Sequence, residues 1–455
     1  MIAEQSTARP LTRKERTTAI VGVCSGNLVE WYDFFIYAYT SIYFASLFFP
    51  AGDQTSQLLA TAGIFAVGFF MRPLGGWIFG YIADTRGRKI SMIISVFMMC
   101  GGSLMIAIMP TYASIGVAAP VLLVLARLMQ GLSVGAEYGT GATYISEVSR
   151  AGRRSFYGSF QYMTIIAGQL LALLTVALLQ LLLSEQDLKA WGWRVPFLIG
   201  ALASIVVVYL RRTMRETATE QDMKRKESGS LKALMQHKRA VLLTFTITIG
   251  CSLYFYTFTA YMQKFLVVSV GIAAPTVSII MAAALVVFML CQPLFGILAD
   301  KIGVRRNMII FGALSTFLVI PLLSTIKTVN DPFGAFVLVL AGLLIAAFYT
   351  PVTGVLKADF YPPTVRALGV GLPYAVGAAM FGGSAEYVAL TFRAMGIEQY
   401  FYVYVAAIGA ITLISSLLMP DLGKHGYLDG DGKVEENIGL GKFSRRKSLS
   451  TQISQ

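Results

Sequence analysis

Long apolar stretches follow one another along almost the whole chain, separated by short breaks that carry polar residues, glycine or proline. A helix needs about 20 apolar residues to cross the hydrocarbon core of a bilayer, and the runs do not alternate at period two as barrel strands do. The pattern therefore predicts twelve membrane-spanning helices, spans 1 to 12. Their predicted limits are 18–48, 58–83, 90–110, 116–146, 156–182, 192–211, 240–269, 275–299, 306–327, 333–358, 366–391 and 400–420.

Composition and charge support a membrane protein. Only 13% of the 455 residues are charged and 56% are hydrophobic, whereas a soluble domain has about 25% charged residues. The net charge of +13 comes from cations before span 1 and in the loops after spans 2, 4, 6 and 8, and the polar segment from Arg211 to Arg239 contributes nine of them. By the positive-inside rule, both termini and the central loop are expected in the cytoplasm. This distribution explains the charge without a nucleic-acid partner.

Two loop motifs recur at nearly the same offset and predict an internal duplication. "GYIADTRGRK" follows span 2 and "GILADKIGVRR" follows span 8, and Asp84 and Asp300 are 216 residues apart. A second pair of loops repeats an acid and an arginine after 212 residues, followed by Tyr162 and Tyr374 at the same offset. Such repeats are typical of transporters whose halves rock about a central site. The expected segments are 1–17, an N-terminal cytoplasmic segment; 18–211, the first six-helix half; 212–239, a cytoplasmic linker; 240–420, the second half; and 421–455, a disordered cytoplasmic tail.

The repeated loop charges have two interpretations. An acid that ends one helix can cap the start of the next helix and pair with an arginine across the loop, which would latch a gate in one state. The alternative is that the charges only set topology. The residues assigned to this gate motif are Asp84, Arg88, Asp300, Arg305, Glu147, Arg154, Asp359 and Arg366.

Span 1 contains a polar stripe within an otherwise apolar helix. Asn27, Glu30, Asp33 and Tyr37 follow at three- and four-residue spacing, so they share one helix face. An ionisable side chain at mid-bilayer costs about 2.5–3.5 kcal/mol on insertion scales and therefore faces a partner or a wet cavity. We expect Asp33, with Glu30 as a second candidate, to take up a coupled proton. The alternative for each acid is a permanent salt bridge that fixes helix packing.

Several cations and hydroxyl groups lie within the other spans. Arg127 is predicted roughly 13 Å from the outer end of span 4, and its planar guanidinium suits a carboxylate. Its alternative partner is an acid of span 1, while Arg72 lies among glycines at four-residue spacing that indicate a close helix contact. Lys264 is expected toward the outer side of span 7 and Lys357 at the cytoplasmic mouth of span 10. Glu386 of span 11 is expected either as a partner for one of these cations or as a functional acid. A surplus of buried cations favours a small dianionic substrate. The candidate substrate-binding residues are Arg127, Arg72, Lys264, Gln130, Tyr254, Tyr261 and Tyr349.

Five sequence motifs carry a family resemblance. "GNLVEWYDFF", "MRPLGGWIFG", "GLSVGAEYG", "WGWRVPF" and "FGGSAEYVAL" together resemble the metabolite:H⁺ symporter family of the major facilitator superfamily, over nearly the whole chain. "ARLMQG" is similar to the fourth-helix pattern of the superfamily. The resemblance implies an all-α membrane protein with the major facilitator fold, twelve helices in two pseudo-symmetric halves. It also implies a monomer in a bacterial inner membrane, with a proton-coupling acid where Asp33 stands.

Proton-coupled import of 2-oxoglutarate is the function the resemblance favours. Citrate, a C4-dicarboxylate and shikimate remain alternatives, because members of the family that carry them share most of these motifs. Betaine or proline is disfavoured, since the tail "GLGKFSRRKSLSTQISQ" lacks the heptad pattern of a coiled coil. No phosphate-binding lysine loop, dinucleotide-binding glycine motif or zinc spacing is present in the sequence. We therefore expect neither an enzyme nor a cofactor or metal.

Overall fold

The computed structural model describes residues 12–49, 54–430, 432 and 434. Regular structure in this part of the chain is entirely helical, with no strand. Backbone groups cannot bond to water inside a bilayer, so each span must satisfy them internally as a helix. The predicted all-helical architecture of twelve spans is confirmed.

The twelve spans are observed close to their predicted positions. Eight helices of the described residues are long and apolar enough to cross a membrane, and a ninth span passes when its two parts, bent by 49°, are joined. The remaining three are spans 1, 2 and 10, the last of which is broken. The observed spans are Arg13–Phe48, Gln54–Arg86, Arg88–Ile108, Ala118–Val148, Arg154–Leu182, Val195–Arg212, Lys238–Val270, Ala274–Ile302, Val304–Phe317 with Val319–Thr328, Pro332–Ala346 with Thr353–Asp359, Pro363–Ala394, and Gln399–Leu418.

Irregular helix is concentrated in the second half. Span 7 contains π-helical turns at Thr257–Tyr261 and Leu266–Val270, and span 11 contains one at Ala378–Gly382. Span 10 leaves the α-helix between Ala346 and Thr353, a stretch that includes Pro351, which has no backbone N–H to donate. These departures rotate the side chains that follow them, and π-turns of this kind are frequent at functional sites.

The two halves approach closely where spans 2 and 4 pack against span 11. A Cβ atom on Gly76 would lie 3.0 Å from the carbonyl oxygen of Gly371, and one on Gly80 would lie 2.7 Å from the Cα atom of Leu368. A Cβ on Gly139 would lie 2.5 Å from the Cα atom of Gly371. Small residues let helix backbones meet in this way. The glycine spacing noted in span 2 therefore marks the boundary between the halves.

The loops after spans 2, 4, 6, 8 and 10 meet at one end of the bundle, which we call the linker end. The linker contains two short helices, Glu220–Lys224 and Leu231–Leu234. Glu216 accepts hydrogen bonds from the backbone nitrogens of Arg88 and Lys89, both at 3.0 Å. The linker thereby caps the start of span 3.

The beginning of the tail is ordered, which differs from the disorder expected for 421–455. Leu422–His425 is a short helix, and the turn after it packs against Asp359 through a hydrogen bond from the Tyr427 nitrogen to the Asp359 carbonyl at 3.0 Å. The sequence pattern could not show this, because the contact joins segments far apart in the chain. Apart from 432 and 434, residues from 431 onward lie outside the described part.

Candidate functional site

Five of the ionisable side chains buried within the membrane-spanning bundle are the main candidates for a functional site. Glu30, Asp33, Arg72 and Arg127 come from the first half, and Lys357 comes from the second. Each is at most 5% exposed. A charge in this position must be compensated by a partner or by a ligand, so the compensation of each group decides what the site can do.

Arg72 of span 2 has aromatic neighbours in place of an acid. Its guanidinium carbon lies 3.9 Å from the ring centre of Phe69 and 4.7 Å from that of Phe34, and Nη1 donates to the Tyr256 hydroxyl at 3.3 Å. Its Nε and Nη2 atoms have no hydrogen-bond partner in the described part of the chain. Aromatic faces attract a cation but leave these donors unused. Arg72, which also lines a cavity between the halves, therefore keeps donors that an anion could use.

That cavity lies between the halves and is small in this structure, with a volume of about 10 Å³. Glu30, Trp31 and Arg72 line it from the first half, together with Tyr138, and Tyr374 lines it from the second. The Tyr138 and Tyr374 rings stack with their centres 3.4 Å apart. Hydroxyl and guanidinium groups on a mainly apolar wall are the usual components of a small-molecule site.

Lys357 adjoins the same tyrosine pair. It was expected at the mouth of span 10, but the structure buries it to 1% exposure. Its ammonium group donates to the Tyr138 hydroxyl at 3.2 Å and lies 4.5 Å from the centre of the Tyr374 ring. The predicted position of Lys357 at the mouth was wrong, because spans 4 and 11 cover this part of span 10.

Asp33 and Arg127 are joined through two intervening side chains. Arg127 donates to Gln130 at 2.7 Å, Gln130 donates to the Ser103 hydroxyl at 3.0 Å, and Ser103 donates to Asp33. The second oxygen of Asp33 packs against Gly200 and has no hydrogen-bond partner in the described residues. The predicted association of the span 4 arginine with a span 1 acid is therefore indirect. A change at one end of this chain can reach the other through hydrogen bonds.

Glu30 lies beside a second, fully paired acid. Its Oε1 accepts from Ser133 at 3.2 Å, and its Oε2 has no partner in the described residues. Glu137 instead forms a buried ion pair with Arg211, whose Nη1 donates to Glu137 Oε2 at 3.0 Å. Arg211 was expected to be a topology-setting charge, but it is completely buried. Of Glu30, Asp33 and Glu137, only Glu137 forms an ion pair within the described residues.

The tyrosines predicted in span 7 do not reach the cavity. Tyr254 donates to the Gly342 carbonyl at 3.1 Å, and Tyr261 donates to Glu398 at 3.5 Å. Both contacts lie within the second half. Tyr256, two residues after Tyr254, is on the opposite helix face and is the residue that contacts Arg72. Tyr349 is buried against Phe311, with ring centres 4.5 Å apart.

Lys264 also lies away from the cluster. It forms an ion pair with Glu386 at the end opposite the linker end, where the two side chains are 52% and 38% exposed. The sequence suggested Glu386 as a partner for one of the cations, and the structure makes Lys264 that cation. Its role as a substrate ligand is therefore not favoured by its position.

The loop acid Asp84 caps a helix of the other half. Its two carboxylate oxygens accept from the backbone nitrogens of Ala367 and Leu368 at 3.0 and 2.9 Å, and it lies 3.3 Å from Arg88. We expected an acid to cap the next helix in the chain, which is wrong: Asp84 caps the start of span 11. A carboxylate is favourable there because of the exposed N–H groups and the helix dipole. The contact holds the two halves together at the linker end.

Glu147 joins the same contact from span 4. It accepts from Arg366 at 2.9 Å and lies 3.4 Å from Arg88. Thr217 of the linker also donates to Glu147, at 2.6 Å. Two arginines, one from each half, thus converge on one acid.

The repeated motif in the second half keeps the acid cap but not the other pairs. Asp300 accepts from the backbone nitrogens of Ser155 and Phe156 at 2.9 and 3.0 Å. Arg154 pairs with Asp429 of the tail, Asp359 accepts from the Leu428 nitrogen at 2.7 Å, and Arg305 donates to the Leu417 carbonyl at 2.6 Å. Residues of the tail therefore contact Arg154 and Asp359, where the repeat predicted contacts with residues of the other loops.

Comparison with known proteins agrees with this architecture. The family model described as "Major Facilitator Superfamily" matches residues 23–372 and 245–434. The chain belongs to the Major Facilitator Superfamily. It is 54% identical over 411 residues to "Alpha-ketoglutarate permease" of Escherichia coli, covering 90% of this chain and 95% of the relative. It is 30% identical to "Proline/betaine transporter" of Salmonella typhimurium, with 87% and 82% covered.

Solved structures of major facilitator proteins show the same fold. The chain superimposes on the proton:xylose symporter XylE with a TM-score of 0.73 at 16% identity, covering 90% of this chain and 96% of XylE. It superimposes on FucP in its outward conformation with a TM-score of 0.65 at 14% identity, covering 87% and 97%. These likenesses confirm the twelve-helix fold, and the curated relatives are transporters.

The site of this major facilitator chain contains residues that sequence reasoning missed. Tyr138, Tyr256 and Tyr374 line or contact the cavity, and Ser103 links Asp33 to Gln130. Tyr374 had been noted only as an echo of Tyr162 in the repeat. The repeat was the one sequence signal for Tyr374, because the contacts of the three tyrosines cross between the halves.

Proposed function

We propose that this chain imports 2-oxoglutarate together with protons across a bacterial inner membrane. The observation that carries the proposal is the 54% identity to the alpha-ketoglutarate permease over 90% of the chain. The cavity beside Arg72 supports it, because a buried cation without an acidic partner suits an anionic substrate. A proton symporter for another carboxylate is the alternative.

The orientation and cycle follow from the charges at the linker end. The linker end faces the cytoplasm, since the loops there carry most of the cations, and the protein acts as a monomer in the bilayer. The Asp84, Glu147 and Asp300 contacts form a cytoplasmic gate, closed in this structure. Opening that gate requires these bonds between the halves to separate.

Proton coupling is assigned to Asp33, with Glu30 as the second candidate. Asp33 has one oxygen without a hydrogen-bond donor and connects to Arg127 through Ser103 and Gln130. Protonation of Asp33 would remove the negative charge that accepts the Ser103 hydrogen bond. Because Ser103 is linked to Arg127 through Gln130, protonation would also change how strongly Arg127 is held. Substrate and proton then alter each other's affinity, which symport requires.

Counterflow in proteoliposomes tests the substrate. Vesicles preloaded with unlabelled 2-oxoglutarate are given the labelled compound outside, with succinate, citrate, shikimate and betaine as competitors. We expect rapid exchange that is inhibited most by close dicarboxylate analogues. Absence of 2-oxoglutarate exchange, or exchange inhibited more strongly by betaine or shikimate than by dicarboxylate analogues, would contradict the proposal.

A further inference from the structure

Two buried cations adjoin the stacked tyrosine pair, and each belongs to a different half of the molecule. Arg72 shares the cavity with Tyr138 and Tyr374. Lys357 donates to the Tyr138 hydroxyl and lies against the Tyr374 ring. The aromatic pair is itself built from both halves, since Tyr138 is in span 4 and Tyr374 is in span 11. The cations and rings therefore form one unit across the central interface.

Neither cation has an ion-pair partner in the described part of the protein, although each is at most 2% exposed. Glu30 lines the same cavity as Arg72 without pairing with it. By contrast, Arg211 at a similar depth of burial is paired with Glu137. Aromatic faces only partly compensate a buried charge. A bound anion supplies what is missing, and two such cations suit two negative groups.

We propose that Arg72 and Lys357 form a two-point clamp in which each cation binds one carboxylate of a dicarboxylate, so that Lys357 determines the preference for dicarboxylates over monocarboxylates. This inference rests on the proposed function and adds the residue that sets its specificity. The planar fork of Arg72 can hold one carboxylate through two hydrogen bonds, whereas the ammonium of Lys357 acts as a point charge. A ligand bound to both cations also joins the two halves.

The test compares two acids of equal chain length that differ in one carboxylate. Counterflow of labelled 2-oxoglutarate is inhibited by unlabelled 2-oxoglutarate or by 2-oxopentanoate. The half-inhibiting concentration of 2-oxopentanoate divided by that of 2-oxoglutarate measures the preference for the dicarboxylate. In Lys357→Gln we expect this ratio to fall by about tenfold or more relative to the wild type, because one charge-assisted contact is lost. Lys357→Arg should keep most of the preference.

Controls separate the clamp from general damage and from the transport proposal. Lys224→Gln makes the same substitution on an exposed linker lysine and should leave the ratio unchanged. If Lys357→Gln does not transport, ligand-induced thermal stabilisation of the purified variant by the two acids gives the same ratio. An unchanged ratio in Lys357→Gln, by either measurement, overturns the clamp. Absence of 2-oxoglutarate exchange by the wild type would instead overturn the proposed function.

Discussion

Asp84 holds the start of span 11 from across the interface, so Asp84→Asn should favour opening at the linker end. The carboxylate accepts two backbone hydrogen bonds at 3.0 and 2.9 Å and lies 3.3 Å from Arg88. The amide keeps one acceptor oxygen and loses the charge. Since hydrogen bonds to charged groups contribute about 1.5–3 kcal/mol each, the substitution should weaken the closed state by about 2–4 kcal/mol.

That loss corresponds to a roughly 30- to 700-fold change in the ratio of closed to open molecules. Pulsed electron resonance between spin labels can measure it. Arg86→Cys and Lys301→Cys place labels on exposed positions in the last turns of spans 2 and 8, at the linker end and one in each half, in a background without the four native cysteines. We expect a longer distance to gain population in Asp84→Asn.

The matched control is Glu220→Gln, which removes an acid of the linker that is 80% exposed and should not alter the distances. If the distance distribution of Asp84→Asn is the same as that of the parent protein, while the labelled protein still transports, then the cap on span 11 does not hold the closed state and the reasoning is wrong.

Three further substitutions give distinct results. Arg211→Gln leaves the Glu137 acid buried without its partner, so stability to denaturant should fall by about 3–5 kcal/mol; a change below 1 kcal/mol would contradict the pairing. Gly200→Ala places a methyl group against the free oxygen of Asp33, and should reduce proton-driven accumulation more than counterflow. Asp429→Asn removes a pair whose acid is 45% exposed, so it should weaken closure by less than about 1 kcal/mol, much less than Asp84→Asn in the same distance measurement.

Periodicity and charge predicted much of the fold. Continuous apolar runs gave the twelve spans, because the bilayer imposes length and composition on every helix that crosses it. The repeat of Asp84 at Asp300 identified two acids that do make equivalent caps, each on a helix of the opposite half. Which helix each acid caps could not be predicted, since that contact depends on how the halves pack.

The site was predicted less completely. The stripe containing Glu30 and Asp33 was found because three- and four-residue spacing is a local property of a helix, and both side chains are buried. The choice of Tyr254 and Tyr261 assumed that one polar stripe in span 7 faces inward, whereas Tyr256 contacts Arg72. The choice of Lys264 over Lys357 followed from predicted depth alone. Lys357 is buried against Tyr138 of the opposite half, whereas Lys264 is half exposed. No pattern within the sequence of either span indicates this difference.

Proton-driven accumulation of 2-oxoglutarate by wild-type and Asp33→Asn protein tests the central claim most directly. Proteoliposomes that are alkaline inside, with equal substrate on both sides, receive labelled 2-oxoglutarate while internal pH is followed with a trapped dye. We predict that the wild type accumulates substrate and acidifies the interior, whereas Asp33→Asn exchanges substrate in counterflow but accumulates none. Accumulation by Asp33→Asn to the wild-type level, or wild-type uptake without proton entry, would contradict the account.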